Sequence, residues 1–187
     1  MGRIEDLADR YQRYIAAPWQ RNLAGGQKAV FLVYDKTDER RLLARKRLFE
    51  IATREAGHKW TSFDLTNAFP AWMAADDYRE AYFESPDDLR MKLDTEFVPF
   101  AAGQLRAALT VPEVDDDTVV GVFGAACLYG FIRVSSVLKE VERDIRGRLA
   151  LFFPGDVDNN NYRLLDARDG WNYLAIPITL HHGELES

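Results

Sequence analysis

The sequence predicts an α/β fold in three layers: a mostly parallel, five-stranded sheet with helices on both faces. Three observations predict it. Unbroken apolar runs such as "AVFLVY" (29–34) and "TVVGVF" (118–123) read as strands buried on both faces, as in a parallel sheet. Segments with apolar residues three and four apart lie between those runs and read as amphipathic helices. Glycine, proline and asparagine cluster at the junctions, where turns belong.

Taken in order, Ile4, Leu7, Tyr11 and Ile15 recur at helical spacing and predict an amphipathic helix over 4–17, ended by Pro18. "LAGGQ" (23–27) is a turn, and "KAVFLVYD" (28–35) is the first strand. Asp38 and Glu39 open a second helix over about 37–56, with Gly57 as its C-cap. "KWTSFDL" (59–65) alternates more, which places it nearer a sheet edge. Short helices are expected between Thr66 and Tyr82. "SPDD" (85–88) starts another helix, with Ser85 as N-cap and Pro86 at the first position. Pro99 must kink or break that helix, which continues to about Leu109. "VPEVDDD" (111–117) is an acidic loop before the strand "TVVGVF". Phe131, Val134, Leu138, Val141 and Ile145 form the clearest helical stripe. "RLALFF" (148–153) is a strand stopped by Pro154-Gly155, and "DVDNNN" (156–161) is a turn-rich loop. "WNYLAIPI" (171–178) is the last strand. Alternation of strand and helix predicts a Rossmann-like sheet in the flavodoxin-like order 2-1-3-4-5. The chain reads as a single domain, with the N-terminal helix inside 4–22, a core over 28–178 and a loose tail at 180–187.

Composition narrows the function classes. With 187 residues, 47% of them apolar, the chain can build one sizeable core. Its net charge of −6 favours solubility and weighs against a grip on nucleic acid. A single cysteine, Cys127, excludes an intramolecular disulfide and fits a reducing compartment. "MGRIEDLADRYQRY" at the start carries no apolar signal-peptide core, and no apolar run approaches a membrane span. A cytoplasmic protein without membrane contact is expected; a homo-oligomer stays open.

Ligands of open α/β sheets bind beyond the carboxyl ends of the strands, and that rule selects the candidates. Asp35 follows the first strand. It is either a rigidly held base or metal ligand, or a turn cap with Thr37, and the cap is preferred. Asp64, before Thr66, carries the same two readings. "GVFGAACLYG" (121–130) lacks the Gly-Lys-Ser/Thr of a phosphate loop and does not match G-x-G-x-x-G. Gly121 allows close helix packing within its strand, and Gly124 and Gly130 supply backbone freedom. Arg133 opens the following helix, where a guanidinium and free N–H groups could hold an anion or a partner's carboxylate. The opposing reading pairs it internally with Asp35, Asp64 or Asp156. Cys127 reads as a buried small side chain. No cysteine and histidine spacing fits a structural zinc, so no metal and no cofactor are expected. Arg40, Arg41, Arg45, Lys46 and Arg47 form a basic run that could touch nucleic acid, but they spread round the helix and read better as a solvated face. Trp19, Trp60, Trp72 and Tyr82 read as core or interface residues rather than base-stacking platforms.

One resemblance spans about residues 28–178. "GVFGAACLYGFIRVSSVL", then "LALFFPGD", then "WNYLAIPI" resembles the BrxB family of BREX bacteriophage-exclusion systems. The likeness rests on Tyr129, Phe131, Arg133, Ser135, Phe153, Pro154 and Gly155, with "FLVYD" as the family's first strand. The chain departs from the family at Gly130, where proline is usual, at Lys36 after Asp35, and in "NYLAI", which lacks an arginine. The resemblance implies a non-catalytic assembly component of a phage-defence complex. Its implied partners are a PglZ-like, phosphatase-fold protein first, then a methyltransferase or an AAA-type ATPase. Aromatics between Trp60 and Tyr82 would supply a contact surface. Two other readings stand beside it. One is a degenerate nucleotide- or phosphate-binding domain with Gly124, Arg133 and Gly155 around the anion. The other is a DNA-contacting subunit that uses the basic run.

Overall fold

The computed structural model describes residues 2–180. Helix α1 (Arg3–Ala16) precedes strand β1 (Ala29–Tyr34), and helices α2 (Glu39–Ala44) and α3 (Arg47–Glu55) lead to β2 (Lys59–Asp64). Helices α4 (Ala68–Ala75), α5 (Arg79–Glu84), α6 (Pro86–Lys92) and α7 (Val98–Leu109) come before β3 (Thr118–Phe123). Helix α8 (Val134–Val141) connects to β4 (Arg148–Asp158), followed by β5 (Asn161–Leu164), β6 (Trp171–Asn172) and β7 (Ile176–Thr179). The protein is α/β, with a mixed sheet.

The strands run in the order β2-β3-β4-β1-β7, and each of those four ladders is parallel. The expected order 2-1-3-4-5 is therefore wrong. β1 lies between β4 and β7, not beside β2. A parallel sheet allows any crossover long enough to span it, so local sequence leaves the order undetermined. β2 does lie at an edge, as its alternation predicts, and β1 and β3 are buried along their length.

The pleat divides the core in two. Phe31 and Val33 of β1 face one side, packed with Phe97, Leu105 and Leu138 from α7, α8 and the turn before them. Val30 and Leu32 face the other, with Leu7, Tyr11 and Phe49 from α1 and α3. Alternate residues of one strand feed two cores because successive side chains point to opposite faces. Helices thus cover both faces.

Several elements differ from expectation. The helix expected over 37–56 is a short 3-10 turn (Lys36–Asp38) followed by α2 and α3, divided at Arg45–Lys46. Gly57 caps α3 in the left-handed region (φ +88°), as expected. Ser85 precedes α6 without a side-chain cap bond. The break at Pro99 takes the form of a π-helical turn over Leu93–Phe97. Proline lacks an N–H and its ring crowds the carbonyl four residues back, and the wider turn relieves both. Phe131 lies outside α8, 38% exposed, and its ring stacks on Phe69 at 4.0 Å. Pro154-Gly155 does not stop β4, which continues into an antiparallel hairpin with β5. Asn159 turns that hairpin with φ +54°. The expected last strand is two strands, β6 antiparallel to β5 and β7 parallel to β1. Gly121 makes room for the Trp60 ring of the neighbouring strand, not for a helix. Cys127 is exposed rather than buried. It lies in a 3-10 turn whose inward positions are taken by Ala125 and Leu128. Among the described residues, no helix is long and apolar enough to cross a membrane. The tail residues 181–187, with His181 and His182, lie outside the described residues.

Candidate functional site

Asp35 and Asp64 end β1 and β2 in the same local motif. Each carboxylate accepts from the backbone N–H and the hydroxyl of the threonine two residues on, at 2.8 and 2.6 Å for Asp35 and 2.9 and 2.5 Å for Asp64. The hydrogen bonds from Thr37 hold the Asp35 carboxyl below its ordinary value. Both acids are caps. They end strands separated by β3 and β4.

Gly124 is committed to that architecture too. Its φ is +82°, and a Cβ there would stand 2.5 Å from Asp64 Oδ1 and 2.7 Å from Thr66 N. The glycine lets the end of β3 nest against the Asp64–Thr66 turn. Gly155 lies in the hairpin ladder opposite Leu164, where a Cβ would collide with the Arg163 carbonyl. Neither glycine lines the cleft that holds Arg133, so Gly124, Arg133 and Gly155 do not form one anion cradle.

The Tyr129–Ser135 stretch shapes a surface. Tyr129 and Phe131 stand 45% and 38% exposed, while Ile132, Val134 and Ser135 are buried and anchor the start of α8. Arg133 is the N-cap residue of α8 and is exposed. It opens onto a cleft of about 930 Å³, bounded by α8, the π-helical turn and the loop between β5 and β6. Lys139 and Arg168 line the same cleft, with Asp94, Glu140 and Asp169 as its acids. None of Arg133, Lys139 or Arg168 forms an ion pair among the described residues. Asp35, Asp64 and Asp156 do not pair with Arg133. Cations outside ion pairs keep their charge available for an incoming carboxylate.

Sequence reasoning missed Lys139 and Arg168. Lys139 was legible, because Arg133, Ser136, Lys139 and Glu140 recur at steps of three and four and share one face of α8. Arg168 carried no local signal; the β5–β6 loop brings it in from far along the chain.

The basic run is largely absorbed by the fold. Arg41 bonds to the buried Asp38 at 3.1 Å, Arg45 pairs with Glu5 of α1, and the Lys46 ammonium lies 5.7 Å from the centre of the Phe123 ring. Arg40 and Arg47 have no such contact among the described residues. Trp72 and Tyr82 are buried, whereas Tyr78 and Phe83 are 70% and 77% exposed. Of the two exposed aromatics, Tyr78 lies within the 60–82 stretch expected to supply a contact surface and Phe83 lies just beyond it. Among the described residues, no group of three or more His, Cys, Asp or Glu could hold a metal ion.

No protein-family model, no curated protein and no solved structure matches this chain.

Proposed function

We propose that this protein is a non-catalytic assembly subunit of a BREX-type phage-defence complex, working in the cytoplasm through protein–protein contacts. The observation that carries the reading is the cleft at Arg133. Two half-exposed aromatics and three cations without ion pairs among the described residues converge on one concave surface. Tyrosine and arginine dominate the energetic centres of protein interfaces, and a concave site lets them be desolvated together. The three cations and three acids of the cleft select a partner segment that carries charges of both signs beside apolar side chains. The caps at Asp35 and Asp64 support the same reading, since the carboxylates best placed for chemistry are already engaged in turns. The parallel strands support a Rossmann-like scaffold with its own strand order. A PglZ-like protein is the proposed partner, from the resemblance carried by Tyr129, Phe131, Arg133, Ser135 and Phe153–Gly155, of which Tyr129, Phe131 and Arg133 are exposed to meet it.

Co-expression with a neighbouring PglZ-like protein, followed by size-exclusion chromatography, tests the proposal. The wild type should co-elute with it. Arg133→Glu should weaken the complex about tenfold or more while circular dichroism stays unchanged. Equal co-elution of wild type and variant would sink the assignment of this cleft. Absence of any complex with the wild type would sink the choice of partner.

A further inference from the structure

The opposite end of the sheet, at the amino ends of the strands, carries a second polar pocket. Lys28 precedes β1, His58 precedes β2, Asp117 precedes β3, and Arg148 begins β4. The segment joining α1 to β1 crosses this end and adds Trp19 and Arg21. Together they enclose about 510 Å³.

Arg148 dominates the pocket. It is 5% exposed, donates to the carbonyls of Gly147 and Gln20 at 3.0 and 2.9 Å, and lies 4.8 Å from the centre of the Trp19 ring. The Tyr14 hydroxyl also interacts with it. It forms no ion pair with a carboxylate among the described residues. Burial pulls its pKa down, as expected for a cation whose desolvation no carboxylate offsets.

Its neighbours leave positive charge uncompensated. Lys28 donates to the Ile145 carbonyl at 3.2 Å, and Arg146 donates to the Val114 carbonyl at 2.6 Å. Both partners are neutral. The two acids that line the pocket are already taken: Asp116 lies 3.8 Å from Arg21, and Asp117 lies 2.6 Å from His58 Nδ1. His58 is held further by the Ile15 carbonyl at 3.1 Å and by stacking on Trp19 at 3.8 Å. Three cations that among the described residues bond to neutral groups alone thus share one pocket, in a chain whose net charge is −6.

We infer that this pocket binds a compact oxyanion of the phosphate class, with Arg148 and Lys28 as its principal contacts. A fixed guanidinium presents donors in a planar fork that matches phosphoryl oxygens, and a multiply charged anion would neutralise the trapped charge. The inference is independent of the docking cleft, which lies elsewhere on the molecule and shares no lining residue with this pocket.

Titration of the full chain with inorganic phosphate and with pyrophosphate, read by calorimetry and by the thermal unfolding midpoint, tests it. Sodium chloride at matched ionic strength is the control. Either oxyanion should bind saturably and raise the midpoint, because a ligand of the folded state alone stabilises it. Arg148→Met should weaken binding about tenfold or more, and Lys28→Gln about threefold or more. No saturable binding of either anion by about 10 mM would overturn the inference. Unchanged affinity in both variants would overturn it as well, since the anion would then sit elsewhere. Should Arg148→Met not fold, the double variant of the half-buried Lys28→Gln with the exposed Arg21→Gln decides in the same way.

Discussion

Replacement of Gly124 by alanine separates a structural glycine from a ligand-binding one. The residue has φ +82°, and for a residue with a Cβ the left-handed region costs about 1–2 kcal/mol. The added methyl would also stand 2.5 Å from Asp64 Oδ1 and 2.7 Å from the amide and hydroxyl of Thr66. One of the two parts must move, and the movement pulls on the two hydrogen bonds from Thr66 to Asp64. Each such bond contributes about 1 kcal/mol. Reduced freedom of the unfolded chain offsets less than about 1 kcal/mol of this total. The net loss should be about 2–3 kcal/mol. Equilibrium urea unfolding, followed by circular dichroism, reads it directly. With a slope of about 2 kcal/mol per molar urea, the midpoint should fall by about 1–1.5 M. A change below about 0.5 kcal/mol would refute the reasoning, for it would mean that the Asp64–Thr66 turn does not press on this glycine.

Tyr11 is fully buried, and its hydroxyl lies 2.6 Å from Thr53 Oγ1, which itself donates to the Phe49 carbonyl at 2.7 Å. Tyr11→Phe should cost only about 1 kcal/mol in urea unfolding, because Thr53 keeps its acceptor; a loss above about 3 kcal/mol would show that the network was misread. Asp115 is held by Lys59, Thr118 and the Asp117 amide, which lower its pKa from 3.8 to about 2. A depressed folded-state pKa stabilises the protein above about pH 4, and that stabilisation disappears as pH falls toward 2. Asp115→Asn should therefore flatten the fall of the unfolding midpoint between pH 4 and pH 2, and an unchanged slope would remove Asp115 from the acid response.

Local chemistry was enough for much of this protein. "AVFLVY" and "TVVGVF" form strands buried on both faces because neither contains a polar residue that must reach water. Asp35-Lys36-Thr37 and Asp64-Leu65-Thr66 are caps because a carboxylate two residues before a threonine can close its own turn without help from the rest of the chain. The amphipathic α1, the edge position of β2, the C-cap at Gly57 and the break before Pro99 follow from spacing and backbone stereochemistry of the same short range.

Tertiary structure decided what depends on residues far apart in the chain. β1 pairs with β4 rather than β2, a choice between crossovers that no local pattern encodes. "WNYLAIPI" divides because Trp171 and Ile176 pair with different strands, β5 and β1. Arg133 meets Lys139 on its own helix, but Arg168 reaches the same cleft through the β5–β6 loop. Arg148 looks in sequence like an ordinary charged residue at the start of a strand. Its burial against Trp19 and the Gln20 carbonyl comes from a segment more than a hundred residues away. A site is an arrangement in space, so its charge balance is set by contacts that close only when the chain has folded.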